Sequence, residues 1–247
     1  MRTSNPALNE KAFQGLPAIP GATATMTIQG TVNKSGLLLV ILVLCASYTW
    51  NLFYSSEDPA KVMPYVIGGM IVGFILALIT VFKKTASPIT APLYAAAEGI
   101  FLGGLSATFE AMYPGIVIQA VGLTFGTLFA LLMAYRSGLI KATENFKLGV
   151  TAATGGIFLL YLVSMVMRFF GASIPFIHDS GPIGIGFSVF VVVIAALNLV
   201  LDFDFIEKGA ERGAPAYMEW YASFGLMVTL VWLYLEILRL LSKTRRR

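Results

Sequence analysis

The sequence predicts an all-α membrane protein, a bundle of seven transmembrane helices, on three observations. The first is composition: of 247 residues, 57% are hydrophobic and only 12% charged, and the mean hydropathy is +0.80. A soluble globular domain carries roughly 25% charged residues, so this chain cannot clothe a water-facing surface. The second is a set of seven apolar runs that approach or exceed the ~20 residues a helix needs to cross a bilayer core. They lie at about 36–54, 65–82, 89–109, 114–135, 148–170, 182–201 and 222–241. The third is that the runs are continuous rather than alternating, unlike an outer-membrane barrel strand. Backbone in lipid must bond internally, which leaves helix.

Residues 1–35 form a polar leader with Pro6, Pro17 and Pro20 and a threonine-rich stretch at 23–27. Partial helix is expected around 7–13, and the leader is read as cytosolic. The first apolar run starts too late and runs too long for a cleaved signal peptide, so it is a retained first span. It contains Cys45, the single cysteine, which excludes an internal disulfide and is read as packing. The second span carries no charge. The third holds Glu98 within Tyr94-Ala-Ala-Ala-Glu98-Gly99, with Pro88 and Pro92 near its start. Gly69 and Gly73, Gly99 and Gly103, and Gly122 and Gly126 recur at the four-residue spacing that lets helix backbones approach closely in lipid. Arg168 ends the fifth span, Asp202 and Asp204 lie at the inner end of the sixth, and Glu219 and Glu236 bracket the seventh. Residues 36–241 form the transmembrane domain and 242–247 a basic tail.

Positive charge orients the chain. Arg2, Lys11 and Lys34 precede span 1, Lys83 and Lys84 follow span 2, Arg136, Lys141 and Lys147 follow span 4, and Lys208 and Arg212 follow span 6. The opposite loops hold only Lys61 and Arg168, so the amino terminus is expected in the cytosol. Lys243, Arg245, Arg246 and Arg247 then fall on the outer side. Seven full crossings are the preferred reading, with a re-entrant last segment as the alternative. The net charge of +4 sits in these clusters, a pattern of membrane orientation rather than nucleic-acid binding.

An ionisable residue near the centre of a span costs at least ~2.5 kcal/mol and is a functional candidate for that reason. Glu98 is ~14 Å in from the cytosolic end of its span, at ~1.5 Å rise per residue. On the same scale Asp202 is ~10 Å, and Glu219 ~6 Å, from a turn placed at about 209–215. Glu98, Asp202, Asp204 and Glu219 are therefore expected to share the cytosolic half, with Glu236 at the opposite face. Asp202 and Asp204 are roughly 200° apart around a helix, so only one faces inward well, and the deeper Asp202 is assigned there. Asp204, Glu207, Lys208, Glu211 and Arg212 also read as the wet end of span 6, with Asp204 and Lys208 paired at i,i+4. Arg168 and Glu236 are expected to snorkel to the interface or to place a charge at an outer vestibule.

Enzymatic constellations are missing from the sequence. His178 is the only histidine and lies in an outer loop, which removes two-histidine zinc motifs and disfavours a Ser-His-Asp triad. The glycines are mid-helix, not at a strand-to-helix phosphate loop. No enzyme activity and no resident cofactor are expected, other than calcium as a permeant or bound ion.

The stretch Asn198-Leu-Val-Leu-Asp202-Phe-Asp-Phe-Ile-Glu207-Lys208-Gly-Ala-Glu211-Arg212-Gly213 resembles the sixth span of the Bax inhibitor family. Pro114-Gly-Ile-Val-Ile-Gln-Ala120-Val-Gly-Leu-Thr124, with Ala134-Tyr135-Arg136, resembles its fourth, and Met1-Arg-Thr-Ser-Asn-Pro6 looks like a bacterial branch, hence a bacterial cell (inner) membrane. The resemblance implies a pH-sensitive calcium leak through a bundle whose last helix is surrounded by the other six. It also implies a proton-responsive pair of aspartates on the sixth and seventh spans. Asp202 matches the first member; Met227 and Thr229 stand where the second is expected, and Glu236 lies too far along. The family's second-span arginine has no match in 65–82.

The expected function is a cation leak, foremost for calcium, tuned by protons at its cytosolic mouth. Asp202 and Glu98 are the candidate ion ligands, and Glu219 and Asp204 further members of the pathway. Hard oxygen ligands suit calcium, and carboxylates sharing a poorly hydrated site resist simultaneous ionisation. The expected partners are the bilayer, calcium ions and protons. The alternative is a non-transporting regulator that binds another membrane protein, such as a membrane-bound protease, through the leader. A proton-coupled transporter with span 3 interrupted at Pro88 and Pro92 is the third reading.

Overall fold

A computed structural model describes residues 24–56, 59–171 and 180–245. Among them are seven α-helices: α1 (Ile28–Ser55), α2 (Met63–Phe82), α3 (Ser87–Met112), α4 (Ile116–Arg136), α5 (Glu144–Phe169), α6 (Pro182–Glu211) and α7 (Tyr217–Arg245). Each apolar run lies in one of these helices, apart from a residue or two at the run's end. The helices outrun the apolar segments mainly where the flanks are polar, because backbone hydrogen bonding continues into charged sequence that leaves the lipid. Thus α1 starts eight residues before the first apolar run, where Thr27 caps it by accepting from Gly30 N at 2.9 Å. The α6 helix runs on through Asp202 and Asp204 to Glu211. The turn before α7 is therefore only residues 212–216, shorter than the expected 209–215. The proposed helix at 7–13, His178 and the last two arginines lie outside the described residues.

Six helices are long and apolar enough to cross a membrane; α3 is the exception. Its alanines, glycines, serines and threonines lower its hydropathy, and twelve of its residues are buried. A helix covered by protein does not need an apolar exterior, and small residues are what permit that covering. Pro88 lies in the first turn of α3, where no amide donor is needed, and Pro92 is accommodated inside a continuous helix. The interruption expected there is not observed. Helix α7 is enclosed most completely, with no residue from Tyr217 to Lys243 exposed.

The chain divides into two compact units. One comprises residues 24–114 and 205–228, the other residues 115–204 and 229–245. In the first, α1 and α2 pack on α3 through glycines. A Cβ on Gly69 would stand 2.7 Å from Ala97 O and 2.9 Å from Phe101 N, and one on Gly99 would stand 2.8 Å from Cys45 Cβ. One on Gly103 would strike Ala46 and Thr49. Thr49 Oγ1 donates to Ile100 O at 3.0 Å, and Thr80 Oγ1 to Thr90 Oγ1 at 2.7 Å. Tyr94 of α3 meets Phe224 of α7 edge-on at 4.9 Å between centroids.

In the second unit Ile157, Val191 and Ile194 form a core against which Ala153, Tyr161, Phe187 and Trp232 pack. Asn198 Nδ2 reaches Thr154 Oγ1 at 2.9 Å. Gly122 and Gly126, expected to mediate packing, have nothing within 4 Å of where a Cβ would stand. Their spacing reproduces the motif, but no described residue lies against either position.

Candidate functional site

Four carboxylates were expected to work together, and the structure gives each a different environment. Glu98 lies on α3 one turn after Tyr94, and the Tyr94 hydroxyl hydrogen-bonds its carboxylate. Its Oε2 is buried with no hydrogen-bond partner among the described residues. The side chain lies against Gly73 of α2, where a Cβ would approach Oε1 to 3.4 Å. Gly73 thus belongs to the seat of this carboxylate.

On α6, Asp202 is 0% exposed. Asp204 points elsewhere, as the ~200° offset requires. Its Oδ2 lies 2.8 Å from Lys147 Nζ, a partner that the i,i+4 spacing to Lys208 does not suggest. Lys147, on the second turn of α5, is buried and also lies 3.5 Å from Glu144. Thr143 caps that helix and so fixes where Lys147 projects.

Glu219 sits in the first turn of α7, buried, with its carboxylate committed to residues 27–34. Thr27 donates to Oε1 from its backbone N–H at 2.8 Å and from its hydroxyl at 2.9 Å. Lys34 forms an ion pair with Oε2. The Lys34 ammonium also lies over the Trp220 ring, 5.5 Å from its centroid. Between α2 and α3, Lys84 lies 5.9 Å from the Tyr221 ring centroid, and burial holds its pKa below the ordinary lysine value.

At the far end of α7, Glu236 is buried and does not snorkel. It accepts from Tyr161 at 3.1 Å and from Arg239 Nη1 at 2.8 Å. Arg239 in turn donates to the Tyr161 oxygen at 2.6 Å. Protein contacts satisfy this carboxylate more closely than the headgroup region would, so it turns inward. Arg168 is exposed. Lys243, the first basic residue of the tail, is buried and donates to Ser188 Oγ at 2.9 Å and to Gly184 O at 3.1 Å.

Lys34, Lys147, Tyr94, Tyr161 and Arg239 are the partners that reading along the chain misses. Only Tyr94 and Arg239 carried a local signal, lying four and three residues from Glu98 and Glu236. Among the described residues, no group of three or more His, Cys, Asp or Glu side chains is placed to hold a metal ion. Buried carboxylates on long apolar helices are what a multi-pass integral membrane protein offers for ion or proton chemistry.

A comparison with curated proteins finds no match. A family model described as Bax inhibitor 1 like matches residues 5–246, nearly the whole chain. With six membrane-length apolar helices and an acidic sixth helix end already established, the chain belongs to the Bax inhibitor 1 like family.

Proposed function

We propose that the protein is a pH-sensitive cation leak pathway, foremost for calcium, in which Asp202 and Glu98 are the functional carboxylates. The observation that carries this reading is Asp202, a carboxylate with no solvent exposure on a membrane-length helix. Such groups are costly, and they mark ion or proton pathways by default. Glu98 supports it through a buried oxygen with no hydrogen-bond partner among the described residues, a costly placement for a carboxylate in a helix of the bundle. The family membership agrees with it. Glu219 and Asp204, each held by a lysine, are assigned to positions flanking the pathway. Calcium is proposed as a permeant or bound ion, with Asp202 and Glu98 as its oxygen donors.

The proposed arrangement is seven crossings with the last helix central, as the enclosure of α7 suggests. The amino terminus is assigned to the cytosol by the lysine and arginine bias, and the membrane to a bacterial cell by the resemblance of residues 1–6. The test is calcium flux in liposomes across a pH series. Asp202→Asn and Glu98→Gln are each expected to change the flux and to flatten its pH response. Flux and pH response unchanged in both variants, or no flux from the purified protein, refutes the reading.

A further inference from the structure

We infer that residues 24–27 form a displaceable strap over the α6–α7 turn, and that its release regulates the pathway proposed above, on which this inference rests. Gly213, at φ +61°, makes the reversal out of α6, a backbone conformation that glycine adopts without steric cost. Gly213 N and Ala214 N close that helix by donating to Ala210 O and Gly209 O, each at 3.1 Å. The turn then offers an outward carbonyl and an outward amide, and the strap uses both. Met26 N donates to Ala214 O at 2.6 Å, and Ala216 N donates to Ala24 O at 3.2 Å.

Thr25 therefore stands opposite Pro215 in a one-residue antiparallel bridge. The bonds flank this pair rather than joining it, so Pro215 loses nothing by lacking an amide donor. Met26 is buried, whereas Ala24, Thr25 and Thr27 are exposed. The strap is tied down at Glu219 by Thr27 and Lys34. A Cβ on Gly30 would run into the Glu219 carboxylate. Ser223 Oγ adds a bond to Thr31 O at 3.0 Å.

Two features make this a displaceable strap although Met26 is buried. A single bridge is far short of the pairing that keeps strands together without other support. Its anchor is also a side-chain cluster at the end of a helix, the kind of place where local opening begins. Its position gives it leverage. The turn it grips is the only covalent link between the α6 helix that carries Asp202 and the first turns of α7. Closed, the strap fixes where α7 begins; open, it leaves Glu219 and that first turn free to shift. On this reading Glu219 is the anchor of a regulatory contact and not a conducting group.

Thr25→Cys with Pro215→Cys, in a Cys45→Ala background, tests the strap in the full-length protein. A non-hydrogen-bonded antiparallel pair has Cα atoms ~4.5 Å apart, within the ~4.4–6.8 Å that a disulfide spans. Oxidation is expected to abolish most of the calcium flux in liposomes, and a reductant to restore it. Equal flux from oxidised and reduced protein, with the disulfide confirmed by mass, overturns the regulatory role. A second measurement does not depend on flux. Met26→Cys in the same background is labelled with a water-soluble maleimide, with and without Thr27→Ala and Glu219→Gln. Removing these bonds should speed labelling by about tenfold; unchanged labelling overturns the strap itself. Absence of flux in the wild type, oxidised and reduced proteins alike refutes the proposed pathway, and the maleimide rates then decide the strap alone.

Discussion

Lys147 on α5 and Asp204 on α6 lie 2.8 Å apart, with the lysine side chain only 3% exposed and the aspartate 14%. Removing one partner of such a pair leaves an uncompensated charge in a poorly solvated place, which costs about 3–5 kcal/mol. Lys147→Met is therefore expected to lower thermal stability in detergent sharply. Lys147→Met with Asp204→Leu should recover most of the loss. A double variant no more stable than the single one would show that Lys147 matters for some other reason.

The two glycines of α2 should respond differently to alanine. A methyl on Gly69 meets the backbone of α3 at Ala97 O and Phe101 N, which cannot yield without moving the helix. Gly69→Ala is expected to cost about 1–3 kcal/mol, the range for overpacking. A methyl on Gly73 meets the Glu98 side chain, which can rotate. Gly73→Ala should leave the melting temperature nearly unchanged while altering the pH response of flux, as Glu98 is displaced. Equal destabilisation by both would contradict this division.

The Tyr161–Glu236–Arg239 cluster should be strongly unequal in its parts. Arg239→Met leaves a buried carboxylate without its cation, a loss of about 3 kcal/mol or more. Tyr161→Phe removes hydrogen bonds whose average worth in a membrane protein is about 0.6 kcal/mol. Because the three groups touch one another, the double variant should lose less than the sum of the two. Unfolding of the single and double variants in detergent measures this, and strict additivity would argue against a shared network.

Lys84 supplies a pH dependence whose sign is fixed. Its pKa is lowered by burial, so the unfolded chain binds a proton more readily than the folded one between the two values. Stability from this group accordingly rises as pH climbs from the folded value towards the ordinary lysine value. Lys84→Met should be slightly more stable than wild type at pH 7, with the gap closing in alkali. The Lys84 amine, followed by NMR after methylation, should titrate below ordinary lysine. A titration at or above the ordinary value would refute the burial argument.

The sequence showed where the helices lie far better than it showed what the charges do. Apolar runs report which residues can sit in lipid, and all seven marked real helices. Helix ends were missed because hydrogen bonding carries α6 through Asp202 and Asp204 and begins α7 before Glu219. The partners of Asp204 and Glu219 were illegible for a different reason. Periodicity proposes neighbours three or four residues away, which is why Lys208 stood out for Asp204. Lys147 and Lys34 arrive from other helices, and nothing local to the carboxylates announces them. Gly122 and Gly126 show the converse, a local motif without a neighbour among the described residues.

The enclosure of α7 also bears on how the protein is made. Between Tyr217 and Lys243 it presents no face to its surroundings, and it carries Glu219, Ser223, Thr229 and Glu236 in buried positions. Alone in a bilayer, such a segment would hold its carboxylates against hydrocarbon, a poor state in which to wait. The ribosome delivers it after α1 to α6, so the groups that receive it, Lys34, Thr27 and Tyr161 among them, have already been synthesised. Membrane insertion of this helix is therefore coupled to the folding of those that precede it, and mutations in its acceptors should show first as failed biogenesis.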